Sequence, residues 1–261
     1  MLDEIIKNKS DEIKSLELIK DEMLSSINNL HLGNSNFLNT LINKRNNNAI
    51  AVIAEIKRRS PSKGYLDENL NILNLVDEYE NSGASCISVL TEKNYFKGSI
   101  EDLILVKKIT NLPVLRKDFI IEDAQVIQSK LIGADCILLI VAALTKEKIF
   151  SLLSLSKELG LDVLLEVHDE QELDIALQTD CKLIGVNNRN LKNFDVSLNT
   201  SIELSKKVLN DDIILVSESG ISKNSDIELL KNYNFNTFLI GETLIKSKNP
   251  GSTLNTLIGA S

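Results

Sequence analysis

"AVIAEIKRRSPSKGYL", residues 51–66, begins as a strand built for burial and turns charged before it breaks. Ala51, Val52, Ile53 and Ala54 are apolar on both faces, yet Glu55 and Lys57 follow before the turn Ser60-Pro61-Ser62-Lys63-Gly64. A strand sends alternate side chains to one side, so Glu55 and Lys57 share a face with Ile53. That face is either solvent or a site, and the rest of the chain must decide which.

Outward from this stretch the pattern repeats. Short apolar runs stand at 51–57, 85–90, 112–117, 135–141, 162–167, 182–187, 212–217 and 236–241, which makes eight. Between them, 68–82, 99–110, 122–132, 145–159, 169–178, 199–209 and 223–232 space their hydrophobics three and four apart, as amphipathic helices do. Gly83, Gly133 and Gly160 stand just before the next run, where helices commonly end. Strand then helix, eight times, demands parallel pairing, and eight such units close into an α/β fold, the TIM (β/α)8 barrel. Strands apolar on both faces suit a sheet covered by helices outside and packed within. An open doubly wound sheet is the other architecture; it normally carries G-x-G-x-x-G after the first strand, and KRRSPSKG is not that. Residues 1–44 show a helical rhythm with no strand signal, predicting one or two helices. All 261 residues are expected to form one domain, with 1–48 as an N-terminal helical extension.

Bulk composition narrows the function. A net charge of −8 without a dense Lys/Arg run argues against nucleic acid and against an anionic membrane surface. Cys86, Cys136 and Cys181 are odd in number, far apart and set in apolar surroundings, so they read as thiols of a reducing compartment. His31 and His168 offer no metal-ligand spacing with them. No run approaches membrane-spanning length and the acidic N-terminus is no secretory signal, so the expected location is cytoplasmic. With no heptad or surface apolar repeat, a monomer is the default.

Barrel chemistry belongs at the C-terminal ends of the strands. Those ends carry Glu55 and Lys57, Lys117, Glu166, Asn187, Ser217-Glu218-Ser219-Gly220 and Gly241. Complementary ionisable groups at one end of most strands are costly to bury idly, although a salt-bridge network fixing the barrel's register would look the same. Ser219-Gly220 and Gly241-Glu242 stand where barrels bind phosphate through backbone N–H groups, so a phosphorylated ligand is expected. The serine-proline loop reads as a flexible loop or as a moving lid hinged at Gly64. His168, Asn188, Asn190 and Lys192 read as loop polarity; Arg189, two past Asn187, stays open between loop and site.

A-E-I-K-x-x-S-P-S-x-G at 54–64, L-R-K-D-F-I at 115–120, L-L-E-V at 164–167, N-N-R-N-L at 187–191, S-E-S-G-I at 217–221 and L-I-G-E-T-L at 239–244 resemble the indole-3-glycerol-phosphate synthase family, in its order and with its spacings. L-D-E-I-I-x-N-K at 2–9 is similar to that family's leading helical segment. The resemblance implies a barrel enzyme, a carbon–carbon lyase of tryptophan biosynthesis, that works without a cofactor or metal. It would convert 1-(2-carboxyphenylamino)-1-deoxyribulose 5-phosphate to indole-3-glycerol phosphate, carbon dioxide and water. On that implication Lys117 is the general acid, Glu166 a general base for dehydration, and Lys57 the holder of the anthranilate carboxylate. Glu55 and Glu218 stabilise positive charge on the anilino nitrogen, and Asn187 orients sugar hydroxyls or Glu166. Ser60, Ser219, Gly220 and Gly241 would cradle the phosphate, with Arg189 beside it; Phe96, Phe119 and Leu138 would line the ring slot. Glu242 departs from a serine of some family members, so it must bind through its N–H with the side chain turned away. Two rivals remain: another phosphate-binding barrel enzyme, such as phosphoribosylanthranilate isomerase, and a barrel that only binds a sugar phosphate.

Overall fold

Each of the eight apolar runs forms a strand in the computed structural model, which describes residues 2–29, 33 and 35–260. His31 lies outside the described residues. The strands are β1 Ala51–Ile56, β2 Cys86–Leu90, β3 Val114–Lys117, β4 Cys136–Ile140, β5 Asp162–Val167, β6 Leu183–Asn187, β7 Ile214–Glu218 and β8 Thr237–Ile240. Every neighbouring pair is parallel, and β8 pairs back onto β1 with Ala51 opposite Thr237, so the sheet closes as a (β/α)8 barrel. β3 starts later than the apolar run because Pro113 has no N–H for the ladder; only its carbonyl is used, accepting from Ile87 N at 2.9 Å.

The N-terminal segment differs from expectation. Among the described residues it holds four helices rather than one or two: α1 Leu2–Asn8, α2 Ser10–Glu17, α3 Lys20–Asn29 and α4 Phe37–Asn46. Periodicity alone hid the breaks, because each helix keeps the same apolar rhythm while the chain bends to follow the barrel. Then come α5 Ile72–Asn81, α6 Ile100–Ile109, α7 Asp123–Leu131, α8 Lys146–Glu158, α9 Glu170–Ala176, α10 Asn199–Ser205, α11 Asn224–Lys231, α12 Glu242–Ile245 and α13 Pro250–Ile258. Gly83, Gly133 and Gly160 all take positive φ, as the turn after a helix requires. Among the described residues no helix is long and apolar enough to cross a membrane.

Strand alternation sorts the core into two layers. Val52, Ala54, Ile56, Ile87, Val89, Leu139, Leu165 and Val186 face the helices. Ile53, Cys86, Leu115, Cys136, Leu138, Leu164, Leu183, Val216 and Leu239 fill the barrel axis. Fully buried Phe37 and Leu41 of α4 join that inner cluster. Asp162, first residue of β5, holds α4 there by accepting from Ser35 Oγ at 2.6 Å and Leu38 N at 2.9 Å. Leu16 and Met23 of α2 and α3 pack on Ala124 and Ile127 of α7. The inner layer therefore has a stopper at one end, and only the other end is open to polar groups.

One outward side chain of β3 breaks the apolar rule. Arg116 is wholly buried, donating to Thr91 Oγ1 at 3.1 Å, Gln128 Oε1 at 2.9 Å and Ser129 Oγ at 3.0 Å, and pairing with Asp118 at 3.2 Å. Asp118 also takes the ammonium of Lys9, itself 4% exposed, at 2.7 Å, which ties the α1–α2 junction to the end of β3. Burial works against the Asp118 charge, but Arg116 and Lys9 outweigh it and hold the carboxyl below its usual range. A carboxyl depressed in the folded state stabilises fully above its unfolded pKa, about 3.9, and loses that contribution as pH falls from there through its lower folded-state pKa. Asp118→Asn is therefore expected to cost about 3 kcal/mol in urea unfolding at pH 7. The variant should also lose less stability than the parent on acidification below about pH 4. Equal unfolding midpoints at pH 7 would count against the network.

Candidate active site

The period of two that places Ile53, Leu115, Leu164, Leu183, Val216 and Leu239 on the barrel axis places the next inward residues at its open mouth. Those residues are Glu55, Lys117, Glu166, Gly185 followed by Asn187, Glu218 and Gly241. Except for Gly185, which lies in the floor beneath Glu218, they line one cavity together with Lys57, Ser60, Phe96, Phe119, Leu138, Arg189, Ser219, Gly220 and Glu242. Every candidate named from the sequence thus faces the same space.

At its centre Lys117 Nζ lies 3.0 Å from Glu166 Oε2 and 3.3 Å from Glu218 Oε2. Burial works against the Lys117 charge, but Glu166, Glu218 and Glu55 outweigh it and hold the ammonium well above the usual lysine range. The two carboxyls diverge, as like charges around one cation must. Burial raises Glu166, but Lys117 and His168 outweigh it and leave it ionised, far below the usual carboxylate range. For Glu218 burial wins: with Glu166 adding to it and Lys117 only partly opposing, its carboxyl is pushed up to about 8. Glu218 therefore keeps a proton at neutral pH. Its Oε1 is buried over Gly185 without a hydrogen-bond partner, while the residue borders the cavity. Across the mouth Lys57 Nζ contacts Glu55 Oε1 at 2.5 Å.

Ser60 begins a small hairpin, Arg59–Ser60 against Gly64–Tyr65, so the serine-proline segment is ordered by pairing rather than a free loop. Ion pairing of Arg58 with Asp102 anchors it to α6. Ser60 Oγ is buried and unpartnered in the cavity wall. Arg189 donates to Ser62 Oγ at 3.2 Å, joining this hairpin to the loop after β6, and lies 3.6 Å from Glu242. Glu242 turns along α12 to Lys246 at 2.6 Å. Ser219 and Gly220 turn the chain sharply after β7 with φ of +65° and +86°. On the apolar side Phe96 and Phe119 stand with ring centroids 6.2 Å apart, tilted by 40°.

Several residues of this region were misread or missed in sequence. His168, expected on the surface, has a side chain only 9% exposed, wedged between Glu166 at 3.2 Å and Glu172 at 3.0 Å. Asn188, read as loop polarity, is 2% exposed. Its Nδ2 donates to Ser217 Oγ, Glu218 O and Ser219 O at 2.9–3.0 Å and its Oδ1 accepts from Ser201 Oγ at 2.9 Å, so it staples the end of β7 beside Glu218. Asn190 and Lys192 are exposed loop residues as expected. Glu92 was missed: its carboxylate accepts from the N–H groups of Asn94, Tyr95 and Phe96 at 2.9, 2.7 and 3.0 Å, which sets Phe96 at the cavity. Leu2 and Ile5 of α1 also line the cavity, a contribution no strand pattern could reveal.

Comparison with known proteins agrees with the geometry. The family model described as indole-3-glycerol phosphate synthase matches residues 2–257. A protein of that name from Alkaliphilus metalliredigens is 40% identical over 259 residues, covering 98% of this chain and 97% of its own length. Another from Thermoanaerobacter pseudethanolicus is 42% identical over 248 residues, 94% of this chain and 92% of its own. Among solved structures, the tryptophan synthase alpha subunit of Legionella pneumophila superposes with a TM-score of 0.63 at 14% identity, covering 87% of this chain and 98% of that one, a likeness of fold alone.

Gly185 explains how Glu218 fits. A Cβ built there would overlap Glu218 Oε1 and press Leu164 Cδ1 at 3.2 Å, so only glycine leaves room for the neighbouring carboxyl. Gly185→Ala is expected to cost about 1–3 kcal/mol in urea unfolding and to displace Glu218 from Lys117 in a crystal structure of the variant. An unchanged unfolding midpoint with Glu218 still in place would refute this packing account.

Proposed function

The chain belongs to the indole-3-glycerol phosphate synthase family, and we propose that its cavity closes the indole ring of 1-(2-carboxyphenylamino)-1-deoxyribulose 5-phosphate with loss of carbon dioxide and water. The observation that carries the assignment of roles is the buried Lys117 ammonium held 3.0 Å from Glu166 and 3.3 Å from Glu218 at the barrel mouth.

Ring closure places negative charge on the sugar carbonyl oxygen as the aromatic carbon attacks. Lys117 is the acid that supplies a proton to that oxygen. Lys57, across the mouth beside Glu55, pairs with the substrate carboxylate until it departs as carbon dioxide. Positive charge on the anilino nitrogen is met by Glu55 and by Glu218, whose proton becomes easier to lose as that charge develops. Once Lys117 has given up its proton, the larger of the two charges that suppress Glu166 is gone, His168 alone remaining, and its basicity rises. Glu166 then takes the proton whose removal expels hydroxide, and Asn187, donating to Glu166 Oε1 at 3.2 Å, keeps the carboxylate turned to the ring. The acid step thereby prepares the base for the dehydration step.

Ser60, with its unpartnered hydroxyl, together with the Ser219-Gly220 turn, Gly241, the N–H of Glu242 and Arg189, forms the phosphate end of the site. The half-buried pair Phe96 and Phe119, over Leu138, forms the slot for the aromatic ring. All these residues come from one chain, which supports a catalytically complete monomer; our reading is of a single domain that works on a small phosphorylated substrate in the cytoplasm. Cys86 and Cys136 lie in the barrel interior with burial holding both thiols high, which disfavours an isomerase chemistry built on a cysteine acid or base.

Purified protein mixed with this substrate, without added metal or nucleotide, is expected to develop indole fluorescence; silence would favour a barrel that only binds. Lys117→Ala and Glu166→Gln are each expected to lower kcat by roughly 10² or more with an unchanged circular dichroism spectrum. Near-parental turnover in either would remove the assigned roles.

A further inference from the structure

The loop after β5 holds a titratable side chain that the mechanism above does not use. His168 lies two residues beyond Glu166, and its ring stands between two carboxylates: Nε2 is 3.2 Å from Glu166 Oε1 and Nδ1 is 3.0 Å from Glu172 Oε2. Glu172 is itself fixed. Its Oε2 accepts from the His168 N–H at 2.8 Å, and its own N–H donates to Asp169 Oδ1 at 2.9 Å at the start of α9. Nδ1 is hydrogen-bonded to Glu172, whereas Nε2 is buried without a hydrogen-bond partner and faces Glu166 Oε1 as a close ion-pair contact, a position that favours the doubly protonated ring. Burial works against that charge, but Glu166 and Glu172 outweigh it and push the ring up to about 10. The charged or polar groups facing Glu166 are Lys117 from β3, Asn187 from β6, Glu218 from β7 and His168; those facing His168 are Glu166 and Glu172.

We propose that His168 is a positioning residue for Glu166, a charged strut between α9 and the barrel mouth that stands against Oε1 and leaves Oε2 to face Lys117 and the reacting atoms. The proposal rests on the reading of Glu166 as the base of the ring-closing reaction and deepens it. With Asn187 donating to Oε1 and the His168 ring 3.2 Å from it, the carboxylate plane cannot rotate without losing a hydrogen bond and an ion-pair contact. Glu166 thus has one oxygen committed to structure and one to chemistry. A base fixed in this way meets the proton in a single geometry rather than sampling several.

The test separates charge, orientation and fold. His168→Phe keeps the ring's bulk and removes both N–H groups; kcat is expected to fall about tenfold or more with KM within about twofold. His168→Gln retains one donor and is expected to recover kcat to within about threefold of the parent. Because the chain has two histidines, His31 and His168, the ring resonance lost in His168→Phe identifies His168 in nitrogen-detected NMR. In the parent that ring should remain doubly protonated through pH 8, and in Glu172→Gln it should titrate at least about one pH unit lower. A ring titrating near the ordinary histidine value of about 6.5 in the folded parent would overturn the proposal. So would a His168→Phe variant that loses thermal stability while keeping its kcat, or a glutamine variant no better than phenylalanine. Failure of the parent to form indole-3-glycerol phosphate would sink the assigned reaction instead, and the ring titration would still decide whether the Glu172–His168–Glu166 linkage exists.

Discussion

A closed ring of parallel strands gives its inward side chains no surface to escape to. Along each strand every second residue must enter the axis, and α4 stoppers one end with Phe37 and Leu41. Apolar residues fill the axis as far as Ile53, Leu115, Leu164, Val216 and Leu239, and the next inward position on each strand opens at the mouth. A polar group placed there is desolvated by the layer beneath it and pressed against its counterparts from other strands. This is why residues as distant in sequence as Glu55 and Glu218 act on one ammonium, and why their register cannot slip by one residue without emptying the site.

Desolvation then decides the protonation states. Three carboxyls and two lysines share a small volume, and charges so close cannot all persist unless each is countered. Glu166 stays ionised because two cations face it, Lys117 on one oxygen and His168 on the other. Glu218 has Lys117 alone, already engaged, and keeps its proton instead. The same balance recurs away from the site, where Arg116 and Lys9 both face Asp118 and lock α1 and α2 over the barrel.

The barrel and most of its mouth were legible because periodicity carries them. Eight apolar runs, each followed by a helical rhythm, survive small errors at their ends, such as the one Pro113 introduces at β3. Glu55, Lys117, Glu166 and Glu218 could be singled out because each follows an apolar run by two-residue parity, a local property of the chain. His168 and Asn188 escaped the same reasoning. Both follow a strand end and look like loop residues, and what buries them is the return of a different segment: Glu172 of α9 onto His168, Ser201 of α10 and the end of β7 onto Asn188. Glu92 was invisible because its partners are backbone N–H groups of a loop whose course no pattern predicts.

The sequence by itself determined the strand count, the parallel order and the inward parity, since these follow from spacings of two and of three to four that any segment expresses locally. It also determined which residue types stand at the mouth. Only the tertiary structure decided where helices α1 to α4 break, the hairpin that holds Ser60, and the partners that leave Glu166 ionised and Glu218 protonated. Those features depend on through-space distances of about 3 Å between residues far apart in the chain, and electrostatics in a desolvated pocket changes steeply over that distance. Spacing in sequence holds no record of it.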